Sequence, residues 1–162
     1  MRPASGDDLG RRIGRLRHSF ACAIRGVLYC VGNERNLRIH LTAALYVSLF
    51  AWLGEVEPLG CALLALCFGV MISAELMNTA IERLGDRANP GFDRLVRDAK
   101  DVAAGGVLVC ALACVVVGYF LFIPSGALSA ALAALFDKLW RVMLLLLSVP
   151  AALWFIFFAG RA

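Results

Sequence analysis

One acidic residue stands inside a long apolar segment of this chain. Residues 58–74 carry no charge, and Glu75 follows them directly. A carboxylate at such a position costs about 2.5–3.5 kcal/mol on membrane-insertion scales, so an intramembrane acid indicates a functional site. At about 100° per residue, five polar side chains of one helix fall within a single sector about 100° wide. They are Glu75, Asn78, Thr79, Glu82 and Asp86.

These residue types suit a magnesium ion and a phosphate group. Mg²⁺ takes a few hard oxygen ligands from the protein and completes its shell with water and substrate phosphates. Further charges are expected at the same membrane surface: Glu34 before one span, and Lys100 and Asp101 at the start of another. Taken singly, Glu34, Glu82, Lys100 and Asp101 are more simply interpreted as interfacial charges that flank spans. That interpretation leaves Glu75 unexplained.

The composition says what kind of molecule must position these groups. Hydrophobic residues make up 61% of the 162 residues and charged residues 17%, against about 45–50% and about 25% in soluble domains. A soluble globule of this size would expose large apolar patches. The composition therefore predicts an all-α integral membrane protein and excludes a soluble enzyme or a disordered chain. The six cysteines form no C-x-x-C pair, so we expect neither a disulfide nor a zinc site.

The basic residues predict the orientation in the membrane. Thirteen of the 16 lie in two stretches, residues 2–38 and 83–100. In so apolar a chain this clustering indicates the cytoplasmic side of a membrane, with a cytoplasmic N-terminus, rather than nucleic-acid binding. Residues 1–18 are charged and contain no apolar core, so a cleavable signal peptide is not expected.

Periodicity and charge predict a membrane domain over residues 1–124. A stripe of apolar residues at helical spacing over 9–32, opposed by arginines, is typical of a helix in the cytoplasmic interface. Three spans follow, at about 36–56, 59–81 and 100–123. The charged stretch 82–101, with the turn signal Asn89-Pro90-Gly91, is expected to be a cytoplasmic loop.

Residues 125–162 form a C-terminal extension, after the break at Pro124-Ser125-Gly126. We predict a fourth span at 142–160, packed on the outside of the bundle and away from Glu75, which would return Arg161 and Ala162 to the cytoplasm. Lys138 and Arg141 oppose this, but they can lie on a short interfacial helix. That helix would be formed by Leu128, Leu132, Leu135 and Leu139. A surface-lying or re-entrant segment broken at Pro150 is the alternative.

Three blocks of sequence carry a resemblance to a known family. E-L-M-N-T-A-I-E-R-L-G-D at 75–86 and A-K-D-V-A-A-G at 99–105 resemble the signature of the small bacterial diacylglycerol kinases. N-E-R-N-L-R-I-H-L at 33–41 resembles the branch that includes undecaprenol kinases. The resemblance covers about residues 9–123. It implies a homotrimer in the bacterial inner membrane, with active sites between protomers at the cytoplasmic interface, that uses ATP and Mg²⁺ to phosphorylate a lipid alcohol.

The resemblance also implies roles for individual residues. Glu75 matches the general base that acts on the lipid hydroxyl, and Glu34 and Glu82 match the carboxylates that hold Mg²⁺ with ATP. Arg38, with Glu75, matches the lipid site. The expected nucleotide-binding residues are Arg15, Glu34, Asn78, Glu82, Asp86, Lys100 and Asp101.

Two departures and two alternatives stay open at this point. Cys22 stands where the best-known branch has an aromatic residue near the nucleotide, and Gly91-Phe92-Asp93 differs from the usual loop. The lipid substrate is undecaprenol or diacylglycerol, and R-I-H-L at 38–41 favours the polyprenol. The competing function is a non-catalytic small transporter or scaffold, for which a polar stripe at mid-depth and no role for Lys100 are expected.

Overall fold

A computed structural model describes residues 6–88, 91 and 93–160, with side chains described from residue 10 onward. In this part of the chain there are six helices and no strand, which confirms the predicted all-α membrane fold. The helices are α1 (Gly6–Asn33), α2 (Arg35–Leu53), α3 (Pro58–Ala88), α4 (Arg94–Phe122), α5 (Ala127–Phe136) and α6 (Leu139–Phe158).

Helix α1 is the predicted amphipathic helix. Its apolar stripe is exposed at Ile13, Leu16, Phe20 and Ile24, which is typical of a helix lying in a membrane interface. Its C-terminal end packs on the rest of the chain, where Cys30 is buried and the Arg83 guanidinium of α3 lies 4.8 Å from the centre of the Tyr29 ring. The end of α1 is therefore anchored beside the polar stripe of α3.

Helices α3 and α4 are longer than the sequence predicted. The expected loop over 82–101 is wrong for most of its length, since α3 continues to Ala88 and α4 begins at Arg94. The earlier start of α4 has a local cause: the Asp93 side chain accepts hydrogen bonds from the backbone N–H groups of Leu95 and Val96, at 2.8 and 3.4 Å, as an N-cap does. Asn89 and Pro90 of the predicted turn lie outside the described residues.

Among the described residues, three helices are long and apolar enough to cross a membrane: α3, α4 and α6. The predicted fourth span is thus one of the three. Helix α2, predicted as the first span, is not, because Arg35, Arg38 and His40 occupy its first two turns and leave a short apolar part. Helix α2 nevertheless packs along both α3 and α6.

Helix α5 fills the end of the bundle farthest from Glu75. Ala131 and Leu135 are buried against Leu53 at the end of α2, and Leu49 and Val142 pack around them. The expectation of one interfacial helix from Leu128 to Leu139 is wrong, since α5 ends at Phe136 and Leu139 begins α6. A side chain at Gly54 would collide with the carbonyl of Ala127, so the glycine lets α5 approach the end of α2.

Helix α6 runs antiparallel to α2 over the whole length of both. Leu145 packs near Leu49 at one end, the Tyr46 and Ser148 hydroxyl oxygens lie 2.9 Å apart in the middle, and the carbonyl of Ile156 accepts from Arg38 Nε at 3.0 Å at the other end. The helix continues unbroken through Pro150. A 20-residue helix is about 30 Å long, the thickness of the hydrocarbon core. Its last turn returns to Arg38 near the start of α2.

We expect α2, which packs along both α3 and α6, to cross the membrane with them, so that α6 makes a fourth crossing and brings the C-terminus to the same side as the N-terminus. A reporter fused after Ala162, which with Arg161 lies outside the described residues, should give the same topology signal as a reporter fused before Met1. The physical reason is the antiparallel packing of α6 along α2. Opposite signals from the two fusions would show that α6 does not cross.

Candidate active site

The buried acid of α3 has a partner on α2. Glu75 is 3% exposed, and its Oε1 lies 3.1 Å from His40 Nε2. The neutral tautomer with a proton on Nε2, or the imidazolium, donates a hydrogen bond to this carboxylate. The sequence interpretation missed His40, because 35 positions separate it from Glu75 along the chain. The only signal was its place in the R-I-H-L block.

One turn further along α3, an amide and a carboxylate form a second polar pair. Asn78 Nδ2 donates to Glu82 Oε1 at 2.8 Å. The other polar atom of this buried amide, Asn78 Oδ1, is buried and has no hydrogen-bond partner among the described residues. A buried carbonyl oxygen without a partner is uncommon and needs an explanation. Asn78 Oδ1 is thus a hard oxygen that could serve as a ligand beside the Glu82 carboxylate.

Glu34 brings a third carboxylate to this end of the bundle. It is the single residue between α1 and α2, in an extended conformation, and its backbone N–H donates to the Cys30 carbonyl at 2.7 Å. The Thr79 side chain of α3 lies close enough to Cys30 to lower the pKa of its thiol against the larger, opposite effect of burial. Glu34 and Glu82 both lie near enough to Glu75 for like-charge repulsion to act between them. The fold thus assembles Glu34, Glu75 and Glu82 from two separate parts of the chain.

Lys100 and Asp86 join α4 to the same stripe. The Lys100 ammonium donates to Asp86 Oδ1, and Gly85 leaves room for the lysine stem, since a side chain there would meet Lys100 and Val96. The Asp86 carboxylate is largely exposed, and an exposed ion pair contributes only about 0–1 kcal/mol to stability. The pair places a cation one turn beyond Glu82.

Three other predicted site residues are positioned differently. Asp101 lies 4.0 Å from Arg97 Nε along the exposed surface of α4, and Arg15 is exposed on α1. Arg38 is buried, and its guanidinium donates to the carbonyls of Val31, Gly32 and Ile156. The structure therefore brings together Glu34, Glu75, Asn78 and Glu82, with Asp86 and Lys100 beyond them. Phe92 of the divergent loop lies outside the described residues.

An apolar cavity extends from His40 into the bundle. It has a volume of about 340 Å³ and lies between α2, α3 and α4. The cavity is lined by His40, Ala43, Val47, Met71, Ile72 and Gly118, among others. Its walls suit a hydrocarbon chain, and His40, the partner of Glu75, lies at its polar end.

The residues present fit a magnesium ion held mainly by a substrate. Among the described residues, no three acidic, histidine or cysteine side chains lie close enough together to hold a metal ion, so an all-protein metal cage is not built here. Two carboxylates, Glu34 and Glu82, and the partnerless Asn78 Oδ1 remain. Mg²⁺ is commonly bound by one or two carboxylates together with substrate phosphates. This donor set suits Mg²⁺ that arrives with a nucleotide.

Comparisons with known proteins agree on one family. Residues 21–122 match the family model described as prokaryotic diacylglycerol kinase. A diacylglycerol kinase from Synechocystis is 39% identical over 107 residues, which cover 65% of this chain and 61% of that enzyme. An undecaprenol kinase from Bacillus subtilis is 35% identical over 117 residues, which cover 72% of this chain and 95% of that enzyme. No solved structure matches the chain.

Proposed function

Because the chain belongs to the prokaryotic diacylglycerol kinase family, we propose that it transfers the γ-phosphate of ATP to the hydroxyl of a membrane lipid alcohol. The observation that carries this proposal is the contact between the buried Glu75 and His40, which lines an apolar cavity, with Glu34 and Glu82 nearby. A lipid hydroxyl must meet a water-soluble nucleotide at the membrane surface. An acid just inside the apolar region, followed by a polar stripe, suits that meeting.

Glu75 acts as the general base in this mechanism. Its carboxylate accepts the proton of the lipid hydroxyl, the hydroxyl oxygen bonds to the γ-phosphorus of ATP, and the bond from that phosphorus to the bridging oxygen breaks to release ADP. The hydrogen bond from His40 Nε2 holds Glu75 Oε1 and fixes the direction of the carboxylate. Proton transfer of this kind contributes about 10²–10⁴-fold to a rate.

The remaining polar residues bind and neutralise the phosphates. Glu34, Glu82 and Asn78 Oδ1 would hold Mg²⁺, which neutralises charge on the transferred phosphoryl group. Lys100, held by Asp86, would contact a phosphate as a point charge. Arg15 on α1 and Asp101 on α4 would join the nucleotide site from their exposed positions. Arg38 would support the lipid site from its buried position at the junction of α1 and α2.

The setting of this reaction is a multi-pass membrane protein. We propose the bacterial inner membrane, with the N-terminus and the polar stripe on the cytoplasmic side, because the basic clusters lie beside that stripe. We also propose a homotrimer with active sites between protomers. In support, no described residue of α4 is buried within the protomer, so this helix has a face free for a second copy or for lipid.

Among lipid alcohols, the R-I-H-L block at 38–41 favours undecaprenol over diacylglycerol as the substrate. The alternative of a non-catalytic transporter or scaffold leaves two features unexplained. The polar stripe runs from Glu75, just past the middle of α3, to Asp86 near its C-terminal end, and Lys100 is paired with Asp86 there.

The direct test is ATP turnover by the purified protein in mixed micelles. Each lipid alcohol is supplied separately, and the phosphorylated lipid is identified by mass spectrometry. We expect Mg²⁺-dependent phosphorylation of undecaprenol above that of diacylglycerol, and none in micelles without a lipid alcohol. ATP turnover that is absent with both lipids would overturn the proposed function.

A further inference from the structure

The last turn of α6 lies against the corner where α1 ends and α2 begins. Arg38 is 6% exposed and donates to the carbonyls of Val31 at 2.8 Å, Gly32 at 3.3 Å and Ile156 at 3.0 Å. The final carbonyls of a helix have no partner within it and favour a nearby cation. One guanidinium therefore satisfies the C-terminal ends of both α1 and α6 and joins them.

Two other contacts show that this approach is close. A side chain at Gly160 would collide with the Gly32 carbonyl oxygen and with the Arg38 guanidinium. The Arg35 guanidinium lies 6.0 Å from the centre of the Phe157 ring. The end of α6 is thus packed on the corner, and glycine at position 160 is what allows it.

The corner carries a residue of the proposed site. Glu34 is the one residue between α1 and α2, so the angle between these helices sets the direction of its carboxylate. Its backbone is held by Cys30 on one side and by Arg38 on the other, since its carbonyl accepts from the Arg38 N–H at 3.4 Å. A contact that fixes the corner also fixes Glu34 relative to Glu82.

We propose that α6 is a positioning element of the kinase site, which acts through Arg38 to hold the α1–α2 corner and so the carboxylate of Glu34. The inference rests on the proposed function, in which Glu34 helps to hold Mg²⁺ with ATP. The match to the family model ends at residue 122, before α5 and α6. The extension thus adds a support that the matched region does not itself contain.

The test is Gly160→Ala, with Gly69→Ala as the matched control. Both glycines have backbone conformations open to alanine, but a side chain at Gly69 meets nothing within 4 Å. The first readout needs no activity: the alkylation rate of Cys30 relative to Cys22 in the same chain, measured by peptide mass spectrometry. Cys30 is 7% exposed, whereas Cys22 is exposed, and burial raises the pKa of the Cys30 thiol, which slows its reaction further.

We expect Gly160→Ala to raise the rate of Cys30 alkylation by about tenfold. The α1–α2 corner then opens more easily, because it loses one hydrogen bond from the charged Arg38 guanidinium. The half-saturating Mg²⁺ concentration should also rise by about tenfold, as when a support of a metal ligand is removed. Gly69→Ala should change neither. Arg38→Lys is a second variant, because lysine keeps the charge but lacks the planar fork, and it should give the same two shifts.

Each other outcome is decisive. Unchanged alkylation in both variants would show that α6 does not hold the corner. Raised alkylation with an unchanged Mg²⁺ requirement would show that the corner does not position Glu34. A wild-type protein without lipid kinase activity would overturn the proposed function, and the alkylation result would still decide whether α6 holds the corner.

Discussion

Glu75→Gln is expected to reduce lipid phosphorylation by about 10²–10⁴-fold, the usual contribution of a general base. Glutamine keeps the size of the side chain and an oxygen that can accept from His40 Nε2, which lies 3.1 Å from Glu75 Oε1 in the wild-type protein. It cannot take the hydroxyl proton. The measurement is the rate at which phosphorylated lipid forms at saturating Mg²⁺ and ATP, together with a thermal melt.

Two comparisons make the result specific to the base. Glu57→Gln, in the exposed link between α2 and α3 at the other end of the bundle, should leave the rate unchanged. His40→Gln should give a smaller loss than Glu75→Gln, because an orienting hydrogen bond is weakened while the base remains. Near-normal activity of Glu75→Gln, with a melt like that of the wild type, would remove the base assignment.

Removing either proposed metal carboxylate should raise the Mg²⁺ requirement. For Glu34→Ala and for Glu82→Ala we expect the half-saturating Mg²⁺ concentration to increase by about tenfold or more. An interaction with a charged group is worth about 1.5–3 kcal/mol, and 1.4 kcal/mol corresponds to a factor of ten. Glu82→Ala should have the larger effect, because it also leaves Asn78 Nδ2 without its acceptor.

The control for these variants is an acid outside the site. Asp98→Ala removes an exposed carboxylate that pairs with Arg94 and Arg97 on the surface of α4, and its Mg²⁺ dependence should equal that of the wild type. Mg²⁺ titrations at fixed ATP give the comparison. If neither Glu34→Ala nor Glu82→Ala shifts the titration, both carboxylates are interfacial charges only.

Part of this site follows from local geometry alone. The helical repeat places Glu75, Asn78, Glu82 and Asp86 on one face, since that relation depends only on the rotation per residue. The structure keeps them on one helix, and the Asn78–Glu82 hydrogen bond joins two of them. Hydropathy likewise indicated the second and third spans and the apolar helix near the C-terminus, because the bilayer requires long apolar helices.

Helix ends were harder to predict. Charge density suggested a loop over 82–101, yet α3 and α4 continue through most of it. Charged residues leave the bilayer without leaving the helix, and the side-chain cap at Asp93 starts α4 within the charged stretch. The hydropathy of a segment reports where the membrane ends, and the backbone hydrogen bonds continue beyond that point.

The contacts between helices were decided by tertiary structure. His40 meets Glu75, and Arg38 meets the carbonyl of Ile156 across 118 positions of sequence. Periodicity says which face of a helix a residue occupies, but not which other helix packs on that face. The acidic stripe was therefore visible in the sequence. Two contacts were not visible there: His40 with the buried Glu75, and the end of α6 with the corner between α1 and α2. Both depend on how α2 packs between α3 and α6.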